Sequence, residues 1–535
     1  MTQEKHIFTN QAGYLPDMAK RATITTPCDS FQVIDSDGNI LLTGKTEFMG
    51  FSGKSGEELR IADISAINEC GTYRILLPDG EVSDDIIIGN DVYRSCFNDV
   101  TKAFYYLRCG CGLDERHAGV FRHGACHTGK ALIWSDGSEA PDVTGGWHDA
   151  GDYGRYVTAG ACALSHLLYA YSFYPDVFKK QNLNIPESGS NEPDILCECR
   201  VELDWIMKLQ RSDGAVYHKL TTQHHAPFVM PEDDTAQLYL LPPSSMAAAD
   251  TTAVLALASR IYRSFDGAYA DKLLERALLS YSWLEANPDY LFENIKECTT
   301  GSYGERDDIG NRFWAATELF ATTGEEKYHT AIKEYSQREE MQVSLGYTGM
   351  DCIGMLSYIL SENSDSVVSG IFRQRMVSRA DNAVSEAESC GYGCSLREYE
   401  FGWGSNMGVL KNAMLMLIAE RLTGDERYST AAAEQLHYIL GRDPLGISYV
   451  SGTGARSINY PHLRPTAADG IDKCIPGMVS GGPNKYRSDP DARLLIPEGS
   501  PAMKCFADDD RCYSLNEITI YWNSPAVFVL AHFNM

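Results

Sequence analysis

The chain has 535 residues, too many for one ordinary core, and its 44% apolar and 22% charged residues exclude a disordered or fibrous protein, so two domains, one of them large, are expected. Acidic residues number 73 against 46 basic ones, and the net charge of −27 sets the surface against phosphate backbones and anionic lipid, so neither nucleic acid nor a membrane is an expected partner. The first residues, Met1-Thr2-Gln3-Glu4-Lys5-His6, lack the basic start and apolar run of a secretory signal, and no stretch reaches membrane-span length. A cytoplasmic location is therefore expected, although a leader already removed would read the same way; the 16 scattered cysteines read mostly as buried thiols.

Short β segments occupy residues 1–90, at 22–26, 31–35, 40–43, 58–61, 72–77 and 85–88, separated by turn residues such as Asp37-Gly38-Asn39 and Pro78-Asp79-Gly80. Their length and spacing predict a small antiparallel sandwich. From 91 to 535 the pattern turns to long apolar-periodic segments. Twelve helices are predicted, at 97–108, 155–173, 194–210, 247–264, 268–286, 309–322, 326–338, 350–361, 365–389, 406–422, 426–440 and 517–532, with almost no strand signal between them. Such a count suits paired helices closed into a ring. The Gly- and Pro-rich stretch 441–515 has little regular pattern and is read as functional, since it carries Tyr449, Tyr460, His462, Arg464, Tyr486 and Asp508.

Four groups carry chemistry. In Gly145-Gly146-Trp147-His148-Asp149-Ala150-Gly151-Asp152-Tyr153-Gly154, two carboxylates three residues apart stand among glycines that admit a ligand close to the backbone. Asp152, just before a helix expected near Arg155, would be kept ionised by the helix dipole, as a general base requires; the same residues also suit a helix cap and an Asx turn. Glu517 opens the otherwise apolar last helix, where it is good dipole electrostatics or, if Asp149, Asp152 and Asp508 share its cleft, a carboxyl kept protonated for general-acid work. In Tyr460-Pro461-His462-Leu463-Arg464-Pro465, alternate residues of an extended segment point the same way, so His462 and Arg464 can both face sugar hydroxyls. Cys109, Cys126, His127 and His148, with Cys111 as a substitute for Cys109, make a closed tetrahedral zinc set; buried thiols and surface histidines are the alternative.

At these residues the sequence resembles the family 9 glycoside hydrolases, in the branch where an immunoglobulin-like module precedes an (α/α)6 barrel. The resemblance spans the chain, from Phe8-Thr9-Asn10-Gln11-Ala12-Gly13-Tyr14, through Trp147 to Tyr153, to two longer motifs. Ser448-Tyr449-Val450-Ser451, Gly454, Arg456 and Pro461-His462-Leu463-Arg464 are similar to the family's histidine motif, and Phe506, Asp508, Tyr513, Glu517, Thr519, Asn523 and Ser524 to its C-terminal acidic motif.

The resemblance implies an all-β immunoglobulin-like sandwich over 1–90, an all-α (α/α)6 barrel over 91–535, and an inverting endo-β-1,4-glucanase acting on β-glucan or cello-oligosaccharides. An exo-acting enzyme on oligosaccharides containing glucose or glucosamine is the alternative, and a non-catalytic glycan-binding protein is disfavoured because all three carboxylates are present. It assigns Asp152 as general base, Asp149 as its partner in holding the water and Glu517 as general acid. His462, Arg464 and Asp508 are implied near the cleavage point, with Trp403 as a stacking platform, and structural zinc at Cys109, Cys126, His127 and His148. Relatives often carry an Asp-Glu pair for calcium ahead of Trp314; this chain has Gly310-Asn311 there, so calcium is the weaker of the two metal expectations.

Overall fold

The computed structural model describes residues 5–535; residues 1–4, part of the segment on which the cytoplasmic expectation rests, lie outside the described residues. Eight strands come first: β1 (Ile7–Phe8), β2 (Arg21–Ile24), β3 (Ser30–Asp35), β4 (Ile40–Lys45), β5 (Glu47–Ser52), β6 (Glu57–Asp63), β7 (Gly71–Leu76) and β8 (Ile86–Ile88). They form two four-stranded antiparallel sheets, ordered β1-β2-β6-β5 and β4-β3-β7-β8. Alternation places Phe31, Val33 and Ile75 of one sheet and Ala22, Ile24 and Ala62 of the other in one apolar core. The β3–β4 turn works as the sequence indicates: Gly38 takes φ +84° while Asp35 accepts the Asp37 and Asn39 N–H groups.

Twelve long helices follow: α1 (Arg94–Tyr106), α2 (Val157–Phe173), α3 (Asp194–Lys208), α4 (Ser245–Tyr262), α5 (Gly267–Ala286), α6 (Ile309–Thr323), α7 (Glu326–Ser336), α8 (Asp351–Leu360), α9 (Ser366–Ser389), α10 (Ser405–Thr423), α11 (Arg427–Ile439) and α12 (Ile520–His532). They divide by burial. The helices α2, α4, α10 and α12 are buried on nearly every side and read apolar all round, whereas α5, α7 and α9 bury only one stripe. Consecutive buried helices pack together, α2 on α4, α4 on α6, α6 on α8 and α10 on α12, and α12 returns to α2. No helix of the described residues is long and apolar enough to cross a membrane.

The structure corrects three expectations. A third sheet, missed in the sequence, runs β9 (Leu132–Ile133), β10 (Arg155–Tyr156), β11 (Lys219–Thr222) and β12 (Leu238–Leu240) in the order β10-β11-β12-β9. Strands of two to four residues are too short to show a period. Because Arg155 and Tyr156 pair with Leu220 and Lys219, the first buried helix starts at Val157 and Asp152 stands clear of its first turn. The last helix starts at Ile520, capped by the Thr519 hydroxyl on the Trp522 N–H, so Glu517 is not in a helix: it sits in an extended link at φ −66° and ψ 156°. The Thr519 cap outcompetes a start at 517 by satisfying a free N–H of the first turn.

The sandwich docks on the helical part through β2 and β6. Thr23 donates its hydroxyl to the Gly391 carbonyl at 2.7 Å, and Leu59 is buried among the helices' side chains. Gln11 reaches into the irregular stretch, donating to the Gly446 carbonyl and accepting the Arg456 N–H at 2.8 Å. Nearby, Arg442 is buried, ion-paired with Glu434 and hydrogen-bonded to the Tyr392 carbonyl. Removing one side of such a pair leaves an uncompensated buried charge, so Arg442→Ala is expected to cost about 3–5 kcal/mol of stability, measured by denaturant unfolding.

Candidate active site

The catalytic-type loop is fixed from below. Gly145 and Gly146 take φ +119° and +78°, and a Cβ on Gly146 would strike the Trp205 ring at 2.7 Å. The next residue is held twice: the Trp147 N–H donates to Glu202 at 2.7 Å and its indole N–H to Glu198 at 2.8 Å. Arg108 holds Glu198 in turn through its Nε and Nη2. The loop closes on itself where the Asp149 N–H donates to the Gly154 carbonyl at 3.0 Å.

From above, two distant segments clasp it. The Ile520 N–H donates to the Asp149 carbonyl at 2.8 Å, and Arg464 donates from its backbone and its Nη1 to the Gly151 carbonyl. Ala150 and Thr519 form an antiparallel bridge and His462 and Glu517 a parallel one. The Glu517 carbonyl accepts the Gly481 N–H at 2.8 Å, which fixes the extended link. Asp149, Asp152 and Glu517 consequently line one cavity of about 510 Å³, within the range of small-molecule sites (~300–1,000 Å³).

The three carboxyls differ because their surroundings differ. Burial alone would raise Asp152, but a hydrogen bond from His225 Nδ1 at 3.1 Å, the charges of His225 and Arg464 and the Gly154 N–H outweigh it and hold the group at about 2. Glu517 is pushed well above its ordinary value by burial and by the facing Asp152 and Asp149, with Arg464 and Trp403 opposing. Asp149 is likewise raised by burial against a hydrogen bond from the Tyr303 hydroxyl, and its Oδ1 is buried without a partner among the described residues. The pattern is one carboxylate kept ionised beside one carboxyl kept protonated.

Of the sugar-binding expectations, Trp403 lies on the cavity wall, half exposed and tilted against Tyr513 at 5.3 Å. His462 and Arg464 stand behind the aspartate loop: the imidazole meets the Asp510 carbonyl at 2.6 Å, and the guanidinium spans the Ala226 and Gly151 carbonyls. Asp508 is elsewhere. It does not line the cavity, and its oxygens accept the Asn459 and Tyr460 N–H groups and the Asn516 amide, bracing the link that carries Glu517.

Cys109, Cys126, His127 and His148 come together, all donor atoms within 4.8 Å of one another, and Cys111 is not among them. His127 Nδ1 lies 3.3 Å from His148 Nε2 and 3.6 Å from the Cys109 sulfur, and Cys126 Sγ is 3.9 Å from His148 Nε2. A tetrahedral zinc with Zn–N of about 2.0–2.1 Å and Zn–S of about 2.3 Å spans its ligand atoms by about 3.3–3.8 Å, so the donor set fits that ion. Burial lowers His148 to about 4, leaving the neutral ring a metal needs, and His127 directs its other nitrogen to Asp234 at 3.2 Å. At Gly310-Asn311 the Asn311 amide donates to Asp250 at 2.9 Å and to Glu305 at 3.2 Å.

His225, Tyr303, Tyr156 and Tyr521 also line the cavity wall and were not among the expected residues. His225 and Tyr303 come from loops far from the aspartates in the chain, whereas Tyr156 stands on the short strand β10 four residues after Asp152, and Tyr521 opens α12 four residues after Glu517. Tyr303, a non-glycine residue between Ser302 and Gly304, takes φ +50°, a left-handed backbone that no pattern in the sequence signals.

The model of Glycosyl hydrolase family 9 matches residues 93–530, and that of the Cellulase N-terminal ig-like domain matches residues 2–81. The chain is 44% identical to a Cellodextrinase of Butyrivibrio fibrisolvens, over 98% of this chain and 99% of that protein. It is 33% identical to Endoglucanase D of Acetivibrio thermocellus, over 99% of this chain and 83% of that protein. Among solved structures, a single mutant of a thermostable endoglucanase from Alicyclobacillus acidocaldarius superposes with a TM-score of 0.94 at 33% identity, covering 99% of each chain. A Zn-binding triple mutant of a family 9 endoglucanase superposes with a TM-score of 0.93 at 32% identity, over 97% of this chain and 99% of that one.

The clasp has a sharp test in Gly151. A Cβ there would fall 2.0 Å from the His462 carbonyl oxygen, a backbone atom with no side-chain freedom to move aside. Gly151→Ala is expected to shift the aspartate loop and lower turnover on the order of 10²-fold, with helical circular dichroism unchanged.

Proposed function

Since the chain belongs to glycosyl hydrolase family 9, we propose that it cleaves β-1,4-glucosidic bonds with inversion, as an endo-β-1,4-glucanase on cellulose-like or mixed-linkage β-glucans and their oligosaccharides. The observation that carries this reading is the opposite ionisation of Asp152 and Glu517 across one cavity. In it Asp152 takes a proton from the attacking water, Asp149 holds that water through its unpartnered Oδ1, and Glu517 protonates the departing glycosidic oxygen. Inversion needs the two carboxyls about 6.5–9.5 Å apart, on opposite faces of the sugar. Trp403 is the stacking platform, and His462 and Arg464 act close to the cleavage point, Arg464 also by fixing the base loop. Asp508 takes a supporting part, through the link beside Glu517.

Architecture supports the reading. The packing of α2, α4, α6 and α8 in series, with α10 on α12 and α12 returning to α2, suits an (α/α)6 barrel, and a boundary near residue 90, between 1–90 and 91–535, leaves the first part an apolar cluster of its own apart from Phe8 and Leu59 at the joint. For the substrate, a solved relative at 33% identity is described in complex with cellobiose-like isofagomine. The similarity to a Cellodextrinase favours a second reading in which short soluble chains are preferred and units leave from one end. Products of a defined cello-oligosaccharide separate the two.

Zinc is proposed at Cys109, Cys126, His127 and His148, a closed set of four ligands. When bound, zinc supplies cross-linking alone. His148 adjoins Asp149, so the site steadies the loop that holds the water. Elemental analysis is expected to find one zinc per chain, and chelation to lower the unfolding temperature.

Asp152→Asn and Glu517→Gln are each expected to lower turnover about 10²–10⁴-fold while leaving oligosaccharide binding intact. Near-normal rates in both would overturn the assignment. Proton NMR of the first turnovers should show the α-anomer. The rate should fall with rising pH as Glu517, raised by burial, loses its proton, and at the acid end only as pH approaches the Asp152 value of about 2.

A further inference from the structure

One stripe of α10 turns toward the catalytic cavity. Gly404, just ahead of the helix, and Met407, Gly408 and Lys411 stand at its i, i+3, i+4 and i+7 positions, and all four line the cavity wall. At the start of the stripe Trp403 stands close to Glu517, and Lys411 follows about 10 Å further along the helix axis, more than the width of one pyranose ring. Lys411 is the only lysine or arginine among the described residues of that wall. Other cations near the site have their donors engaged, Arg464 on the Ala226 and Gly151 carbonyls and Lys219 on the Gly301 carbonyl at 2.6 Å and on Asn294 at 2.8 Å. Among the described residues no hydrogen bond or ion pair engages the Lys411 ammonium. Burial draws it below the ordinary lysine value, and the ionisable groups it feels are the Cys162 and Cys352 thiols and the Arg379 guanidinium, with no carboxylate among them. Gly346 keeps the space before it clear, since a Cβ there would come within 3.0 Å of Nζ.

An ammonium held in a cavity wall without a counter-ion is unfavourable unless a ligand supplies the missing acceptors. The chemistry of that ligand is bounded from both sides. An anionic sugar would meet Asp149, Asp152, Glu517 and Glu400 on the same wall, and an amino sugar would set its own ammonium against Lys411. A neutral pyranose satisfies both constraints, because the three N–H donors of a lysine can be shared between neighbouring hydroxyl oxygens. We propose that Lys411 is a specificity-determining residue: it binds hydroxyl oxygens of the glucose unit one or two rings from the bond being cleaved, and it disfavours glucosamine at that position. Choice of sugar and cleavage of the bond are then carried out by different groups, one on α10 and the others on the aspartate loop and the link that holds Glu517.

This inference rests on the chain acting on cello-oligosaccharides, and the test keeps the two apart. Lys411→Met and Lys411→Arg are compared with the unaltered protein by kcat and KM on cellotetraose. Each is also combined with Glu517→Gln, so that calorimetry reads affinity for cellotetraose and for the glucosamine tetramer without turnover, at a mildly acidic pH where the amines are protonated. Expected for Lys411→Met is a KM and a dissociation constant for cellotetraose about 10- to 100-fold higher, with kcat within about 3-fold, because the lost hydrogen bonds are charge-assisted and lie away from the reacting bond. Lys411→Arg keeps the cation and should stay within about 5-fold on both. The glucosamine tetramer should bind Glu517→Gln about 10-fold more weakly than cellotetraose does, and lose that disadvantage once Lys411→Met is added. Removing an uncompensated charge should leave the unfolding temperature of Lys411→Met no lower than that of the unaltered protein. A cellotetraose affinity unchanged in Lys411→Met, a loss confined to kcat, a lowered unfolding temperature, or a glucosamine disadvantage that survives the substitution overturns the inference. If the unaltered protein does not turn over cellotetraose, the hydrolase reading fails instead, and the affinities still decide the role of Lys411.

Discussion

Three acidic side chains share one buried cavity, and a protein interior resists such an arrangement unless its charges are compensated. The compensation is uneven by construction. Donors converge on Asp152 from the imidazole, the Gly154 N–H and the Tyr156 hydroxyl, while Glu517 has mainly low-dielectric surroundings and like charge to face. The difference between the two carboxyls therefore comes from where backbone and side-chain donors end. The clasp of the Asp149 and Gly151 carbonyls by Ile520 and Arg464 is what keeps those donors in place across the chain.

Much of the fold was legible. Helices of ten or more residues carry several turns of apolar periodicity, and each of the twelve expected segments holds one. Residues paired across the chain were not legible. The third sheet depends on partners such as Arg155 with Leu220, which no local pattern encodes, and it moved the start of α2. The same limit displaced Glu517: an apolar run after it looks like continuous helix, yet Thr519 holds a better capping position and the chain is extended before it. Among 16 cysteines and 13 histidines no spacing singles out the four metal-type ligands, which were named through the family resemblance, while His225 and Tyr303 were not foreseen because their partners lie on other segments.

The supports of the aspartate loop are redundant in kind. Below it lie the Arg108–Glu198 ion pair and the buried Glu202 carboxyl that accepts the Trp147 N–H; beside it stands the Cys and His cluster at the neighbouring His148; above it is the clasp. Each acts on a different atom set, so a loop of glycines, flexible by composition, ends with little freedom. A geometry needed to within about half an ångström for proton transfer is better met by several modest restraints than by one strong one.

The contact made by Gln11 bears on how such chains are inherited. Its amide grips residues 446 and 456, in the very stretch that leads on to His462 and Arg464. The small sandwich is thus wired to the stretch that backs the aspartate loop, and it does not simply ride along as cargo. Exchanging it between relatives would transplant half of a joint whose other half leads to the aspartate loop, so a graft is expected to succeed only where the stretch that Gln11 grips travels with it.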